Sequence, residues 1–334
     1  MMNKYIIVVL VLFTPCILQA QSQSEFTVSL GAGSSSLKYQ LDNGQSKSGF
    51  GWELGAGYSY YFSRMIGIFI GLEAEAFNSS VDVENLSFQQ QIPTPAGLSG
   101  NFSLQANYTG LKETQSAVML QIPVMLQLQF PVDKKDALYL GAGIKAGFPV
   151  SSRWNQSVAT LVTTGYSDYT VQQYADMPNH GFSTYSNVGA SGKMELKSPA
   201  FLALEGGLKF GMGAKKYLYA GIFLDYGLNN IYKAPAANTT LLDYNSASPA
   251  DYSYNSILTI NHYSVSGGIK PFAIGLKIKL GIGSGKSVKS NNTNNPNKSN
   301  KSEKPVQPVK PPVVKKAVSP IPKKTEQKIV PVGD

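Results

Sequence analysis

Residues 271–283 read PFAIGLKIKLGIG, with Phe272, Ile274, Leu276, Ile278, Leu280 and Ile282 at every second position. Ala273, Gly275, Lys277, Lys279 and Gly281 stand between them. A period of two gives each face of an extended strand its own chemistry. What the apolar face touches decides the fold, because such a strand suits either a soluble sandwich or a barrel in lipid.

The same alternation recurs at about 25–34, 50–62, 65–77, 116–130, 137–149, 200–212, 216–228 and 270–282. Most of these segments are long enough to cross a bilayer as tilted strands, which need about 9–11 residues. One face gathers Trp52, Leu54, Ile68, Ile70, Leu72, Leu120, Ile122, Leu126, Leu218 and Ile222 and carries no charge. The other face carries Glu53, Glu73, Glu75, Lys145, Glu205, Lys209, Asp225, Lys277 and Lys279, with Gln121, Gln127 and many glycines between them.

The links alternate in length. Those at 62–65, 130–137 and 212–216 are tight, with PVDKKD and GAKK supplying turn chemistry in the last two. Those at 35–49, 78–115, 150–199 and 229–269 are long and rich in Ser, Asn, Tyr and Gly. This plan predicts an all-β, eight-stranded antiparallel transmembrane up-and-down β-barrel over residues 21–284, with both barrel ends on the periplasmic side. Tyr58, Tyr60, Phe130, Phe148, Phe210 and Tyr226 lie near strand ends, as interfacial girdles require.

Composition agrees with this reading. The 334 residues are 43% hydrophobic and only 15% charged, with 32 glycines, an unusual balance for a pair of soluble domains. The first twenty residues, with Lys4, an apolar run from Tyr5 to Phe13 and a small-residue site ending at Ala20, read as a cleaved secretory signal peptide. The single cysteine, Cys16, falls inside it behind Pro15, so no disulfide or lipid anchor is expected.

The net charge of +9 is local. Residues 285–334 hold eleven lysines against Glu303, Glu326 and Asp334, and Lys4 supplies the remaining excess. Residues 5–284 are neutral, which argues against a nucleic-acid partner.

The signal segment, the strand ELGAGYSYYFS, the proline-containing strand LQIPVMLQLQF and LEGGLKFG together resemble the OmpA-like outer-membrane β-barrel proteins common in Bacteroidetes, over about residues 24–283. The resemblance implies a fold, an outer-membrane location, and lipid and lipopolysaccharide as surroundings. GLKIKL at 275–280 is similar to the last-strand signal read by the barrel assembly machinery, with Ala273 where that signal carries a polar residue. OmpA-like proteins often continue into a peptidoglycan-binding domain. This sequence reaches Asp334 without one, so that activity is not carried over.

An eight-stranded barrel has an interior that side chains nearly fill, and buried charges must be paired. The nine charged residues of the inner face are therefore expected to form an ion-pair network that closes the lumen. The same residues also suit a narrow porin-like path gated by exchange of partners. Gly55, Gly57, Gly141, Gly143 and Gly207 would make room for the long side chains. Pro123, lacking a ladder donor, predicts a bulge.

No cofactor or metal site is indicated. The only histidines, His180 and His262, fall in long links without ligand spacing. HYS at 262–264 resembles the His-x-Ser element of outer-membrane lipid A deacylases, which would make His262 the base and Ser264 the nucleophile. Residues 265–302 contain no acid to orient the histidine, so a polar loop end explains the string as well.

Tyr166, Tyr169, Tyr174, Tyr185, Tyr232, Tyr244, Tyr252, Tyr254 and Tyr263 suit either a binding surface or loops packed over the barrel mouth. Residues 285–334, dominated by Ser, Asn, Lys and Pro, predict a disordered periplasmic tail. Its lysines suit an anionic cell-wall group or an acidic partner. The expected function is a non-enzymatic outer-membrane barrel acting in envelope structure or surface binding, with a narrow channel and a lipid A hydrolase as alternatives.

Overall fold

The computed structural model describes residues 23–41, 44–95, 97–213, 215–233, 240–245, 248–259 and 266–283. The signal segment, His262, Tyr263, Ser264 and the tail from 285 onward lie outside the described residues.

Eight long strands form the wall: β1 (Gln23–Leu41), β2 (Lys47–Tyr61), β3 (Ile66–Ile92), β4 (Phe102–Pro131), β5 (Ala137–Ser167), β6 (Ala200–Gly211), β7 (Lys216–Gly227) and β8 (Ser266–Gly283). Each pairs antiparallel with its neighbour in sequence, and β8 pairs with β1, from Glu25 opposite Gly283 to Lys38 opposite Lys270. The ring is closed. A closed ring leaves no unpaired edge, which hydrocarbon requires of any strand that crosses it.

The wall sorts its residues in the reverse of a soluble protein. On β8, Leu276 is 70% exposed and Ile278 53%, while Lys277 and Lys279, which alternate with them, are buried. Leu54, Ile70, Leu72, Leu126, Ile144 and Ile222 are likewise exposed around the ring. Apolar area of this extent has no stable place in water, so the apolar face of PFAIGLKIKLGIG touches lipid.

On β8 the band runs from Phe272 to Ile282, which at about 3.3 Å per residue and the usual strand tilt spans about 25 Å of hydrocarbon. Phe26, Tyr58, Tyr60, Phe130 and Phe210 ring its tight-turn end, and Phe50, Trp52, Phe148 and Tyr226 ring the other, all facing outward. These are the two aromatic girdles of a membrane barrel.

The tight turns are closed by backbone bonds. Phe62 N–H donates to the Ile66 carbonyl (2.9 Å), Val132 N–H to Asp136 (3.0 Å) and Met212 N–H to Lys216 (2.9 Å).

The long links differ from the sequence reading. Much of 78–115 and 150–199 is strand: β3, β4 and β5 continue far beyond the band, and a further strand, Thr184–Lys193, pairs along β5. Three features hide this extension in the sequence. The faces exchange chemistry, so that above the band Asn78, Ser80 and Asp82 follow the outward side while Phe77, Val81 and Val83 are buried inside. Val150 is an extra residue between the pairs Val118–Ser151 and Met119–Pro149. At Gly110, with φ +65°, the ladder is interrupted and the buried positions pass from Leu111 to Tyr108. A one-residue displacement swaps faces and breaks a period-two pattern.

Pro123 also corrects the expectation, because no bulge forms there. Ile70 faces Val124 and Glu73 faces Gln121, so the register is unchanged, and only the Gly71 and Leu72 pairs between them drop out. The missing N–H interrupts the ladder with β3 while the pairing with β5, Pro123 opposite Lys145, continues.

Candidate functional site: a charged lumen under an apolar cap

All nine charged residues named from the sequence point into the barrel and are buried. The alternation of β2, β3, β5, β6, β7 and β8 puts them there, since each occupies an inward position. Lys145 Nζ contacts Glu73 Oε2 at 2.6 Å, Asp225 Oδ2 at 2.7 Å and Glu53 Oε2 at 3.4 Å. Lys277 Nζ lies 2.5 Å from Glu53 Oε1, 3.3 Å from Glu73 Oε1 and 3.7 Å from Glu205 Oε2. Lys279 pairs with Glu205. Two lysines thus bridge acids from different walls, forming one connected layer across the lumen.

Lys209 belongs to a second group nearer the tight turns. It reaches Glu25 Oε2 at 2.8 Å and Gln129 Oε1 at 3.3 Å, and it sits 4.0 Å from the centre of the Tyr217 ring. Tyr219 donates to Glu25 Oε1 at 2.5 Å. Glu25 was absent from the sequence-derived set, although it shares the inward parity of Thr27 and Ser29. Position along β1 was the available signal.

Glu75 is held differently. Its Oε2 accepts from Gln121 Nε2 at 2.6 Å, and carboxylate oxygens of Glu75, Glu53 and Asp225 lie within 4.8 Å of one another. The cation beside this trio is the Lys145 ammonium, which reaches Glu53 and Asp225 directly. Glycines create the space: a Cβ on Gly55 would lie 2.7 Å from Glu73 Cγ, and one on Gly141 2.7 Å from Glu205 Cγ. Gly143 and Gly207, by contrast, admit neighbouring backbone, not charged side chains.

Above the ionic layer the interior becomes apolar. Phe77 and Phe201 stack across it at 5.7 Å, and Leu37, Val81, Leu111, Trp154, Leu161 and Phe182 continue the core. Leu241, Leu242, Ile257 and Leu258, from the last long link, are buried in the same core. The described parts of this link, residues 240–245 and 248–259, form a cap packed into the extended sheet. Most of the named tyrosines join this packing, as in Tyr185 against Tyr252 at 6.0 Å and Tyr174 against Phe102 at 5.6 Å, while Tyr169 is exposed.

The cap is fastened at Glu113. Its carboxylate accepts from Ser256 Oγ (2.5 Å), Ile257 N–H (2.8 Å), Gln115 Nε2 (2.9 Å) and Gln156 Nε2 (3.1 Å). Replacing Glu113 with alanine strands these donors, and amide exchange at 256–259 is expected to accelerate about tenfold or more. Burial raises the Glu113 pKa above the ordinary carboxylate value. A carboxyl whose pKa rises on folding contributes stability that is complete below its unfolded pKa and is lost as pH rises through the folded one. Protection of the Ile257 amide, corrected for intrinsic exchange, is therefore expected to fall with rising pH in the wild type and to lose this dependence in Glu113→Gln.

Strand ring, lipid-facing band and charged interior define a transmembrane β-barrel of the outer-membrane type. No family model and no curated protein matches the chain. Among solved structures it is similar to Ail, the attachment invasion locus protein of Yersinia pestis, at 12% identity over 78% of this chain and 99% of that one, TM-score 0.27. It is also similar to the outer membrane protein OprG from Pseudomonas aeruginosa, at 14% identity over 80% and 97%, TM-score 0.29. With scores this low, the fold rests on the strand pairing and burial described above.

Proposed function

We propose that this protein is a non-enzymatic, non-conducting barrel of a bacterial outer membrane, acting in envelope structure or surface binding through its extended end. The observation that carries this reading is the double filling of the interior. An ion-paired layer lies inside the band, and an apolar core that includes Phe77, Phe201 and the cap residues Leu241, Leu242, Ile257 and Leu258 lies above it. An ion crossing this path would have to break buried pairs and then enter hydrocarbon-like packing. In this orientation the tight turns face the periplasm, and the basic tail would meet anionic cell-wall groups or an acidic partner there.

The test is single-channel conductance of the refolded protein in a planar bilayer, with and without residues 285–334. Silence from a barrel that shows heat-modifiable migration is expected. Steady openings would overturn the closed lumen in favour of a narrow channel, a reading favoured by the sharing of Lys145 and Lys277 among several acids. In that case neutralising Glu73 or Lys145 should change the conductance.

A further inference from the structure

Where the apolar band ends on the wall between β1 and β8, the next outward positions are Lys38 and Lys270, directly opposite one another in register. Like charges facing across a ladder repel. Lys47 pairs with Asp82 at 2.5 Å and Lys233 with Glu195, whereas Arg153 and Lys193, another basic pair in register, have no ion pair among the described residues. No carboxylate among the described residues pairs with Lys38 or Lys270. The Lys38 ammonium lies 3.5 Å from the centre of the Phe272 ring, which holds it at the edge of the band.

A concavity of about 450 Å³ opens at this place, lined by Ser36, Lys38, Ser48, Tyr226, Lys270 and Phe272 among others. Ser36, the partner of Phe272 across the ladder, is 1% exposed, and its hydroxyl has no hydrogen-bond partner among the described residues. Unmet buried donors are uncommon. Two unneutralised ammonium groups, an unsatisfied hydroxyl and an aromatic floor at the rim of the hydrocarbon match one chemistry, a phosphate headgroup joined to acyl chains.

We propose that Lys38, Lys270 and Ser36 bind the phosphate of a phosphorylated lipid in the leaflet at the extended end, with Phe272 and Tyr226 against its acyl chains. The lysines would supply charge-assisted hydrogen bonds and Ser36 a third donor. The phosphate in turn relieves the repulsion between the two ammonium groups. The site rests on the outer wall being lipid-facing and is independent of whether the lumen conducts.

The experiment uses the full chain in phosphatidylcholine nanodiscs doped with bisphosphorylated lipid A or with its dephosphorylated form, with retained lipid counted by native mass spectrometry. The wild type is expected to retain the phosphorylated form preferentially. Lys38→Gln with Lys270→Gln should lower that retention by about tenfold per lysine, Lys38→Arg with Lys270→Arg should keep it, and neither should alter the dephosphorylated form. Equal retention of the two lipids by the wild type would overturn the site without recourse to any variant. So would unchanged retention in the glutamine variant, or displacement of the lipid by millimolar inorganic phosphate, which would mark a site for the free ion. A barrel that fails to insert at all would sink the membrane reading instead.

Discussion

Replacing Lys145 with methionine is expected to lower the unfolding free energy of the barrel by about 3–5 kcal/mol, because removing one member of a buried ion network leaves the others uncompensated. Asp225 loses its direct ion-pair partner, and Glu53 and Glu73 keep only Lys277. The methionine nearly preserves volume, so the cost is electrostatic. Urea titration of the protein refolded in lipid vesicles, followed by heat-modifiable migration, reads it directly. Lys47→Met removes a pair whose side chains are 62% and 42% exposed and should cost below about 1 kcal/mol. Adding Asp225→Asn to Lys145→Met should recover part of the loss, as coupled neighbours do in a double-mutant cycle. Equal small costs for Lys145 and Lys47 would mean that water reaches the lumen and screens it, which would remove the main support for a closed barrel.

The layer is legible in the sequence because the band obeys one rule along its whole height. Inward positions 53, 73, 75, 145, 205, 209, 225, 277 and 279 all follow from alternation once the apolar face is given to lipid. The pairing is not legible. Which acid meets Lys145 depends on strand tilt and stagger, and these bring Glu53, Glu73 and Asp225 together from three different strands. Glu25 follows from the same alternation, since Phe26, Val28 and Leu30 fix the outward face of β1 and leave Glu25, Thr27 and Ser29 inward.

The extended end was hidden for a different reason. Segments such as SSVDVENLSFQQQI at 79–92 alternate too, but with apolar residues inward, as in any soluble sheet. A reading tuned to lipid-facing strands passes over them as loops. The interruptions at Val150 and Gly110 then break the phase of the alternation within β5 and β4. The polarity of the two faces reverses where the surrounding solvent changes from lipid to water, so the reversal itself marks the end of the band.

That reversal gives the second large effect. Ile278 lies near the middle of the band, outward and 53% exposed, between buried Lys277 and Lys279. Ile278→Lys is expected to destabilise the barrel in bilayers by about 2–4 kcal/mol, while Ile282→Lys, at the tight-turn end, should cost about 0–1 kcal/mol. The same urea titration in vesicles measures both. Two lysines already occupy the inward face of this strand, so the expected penalty reflects the face and depth of the new charge, not the residue type. On a water-facing sheet both substitutions would be within about 0.5 kcal/mol of neutral, as exposed changes usually are. A cost that rises from Ile282 to Ile278 therefore requires hydrocarbon outside this wall, whereas two equally small costs would place the apolar face against water and return the chain to the soluble sandwich.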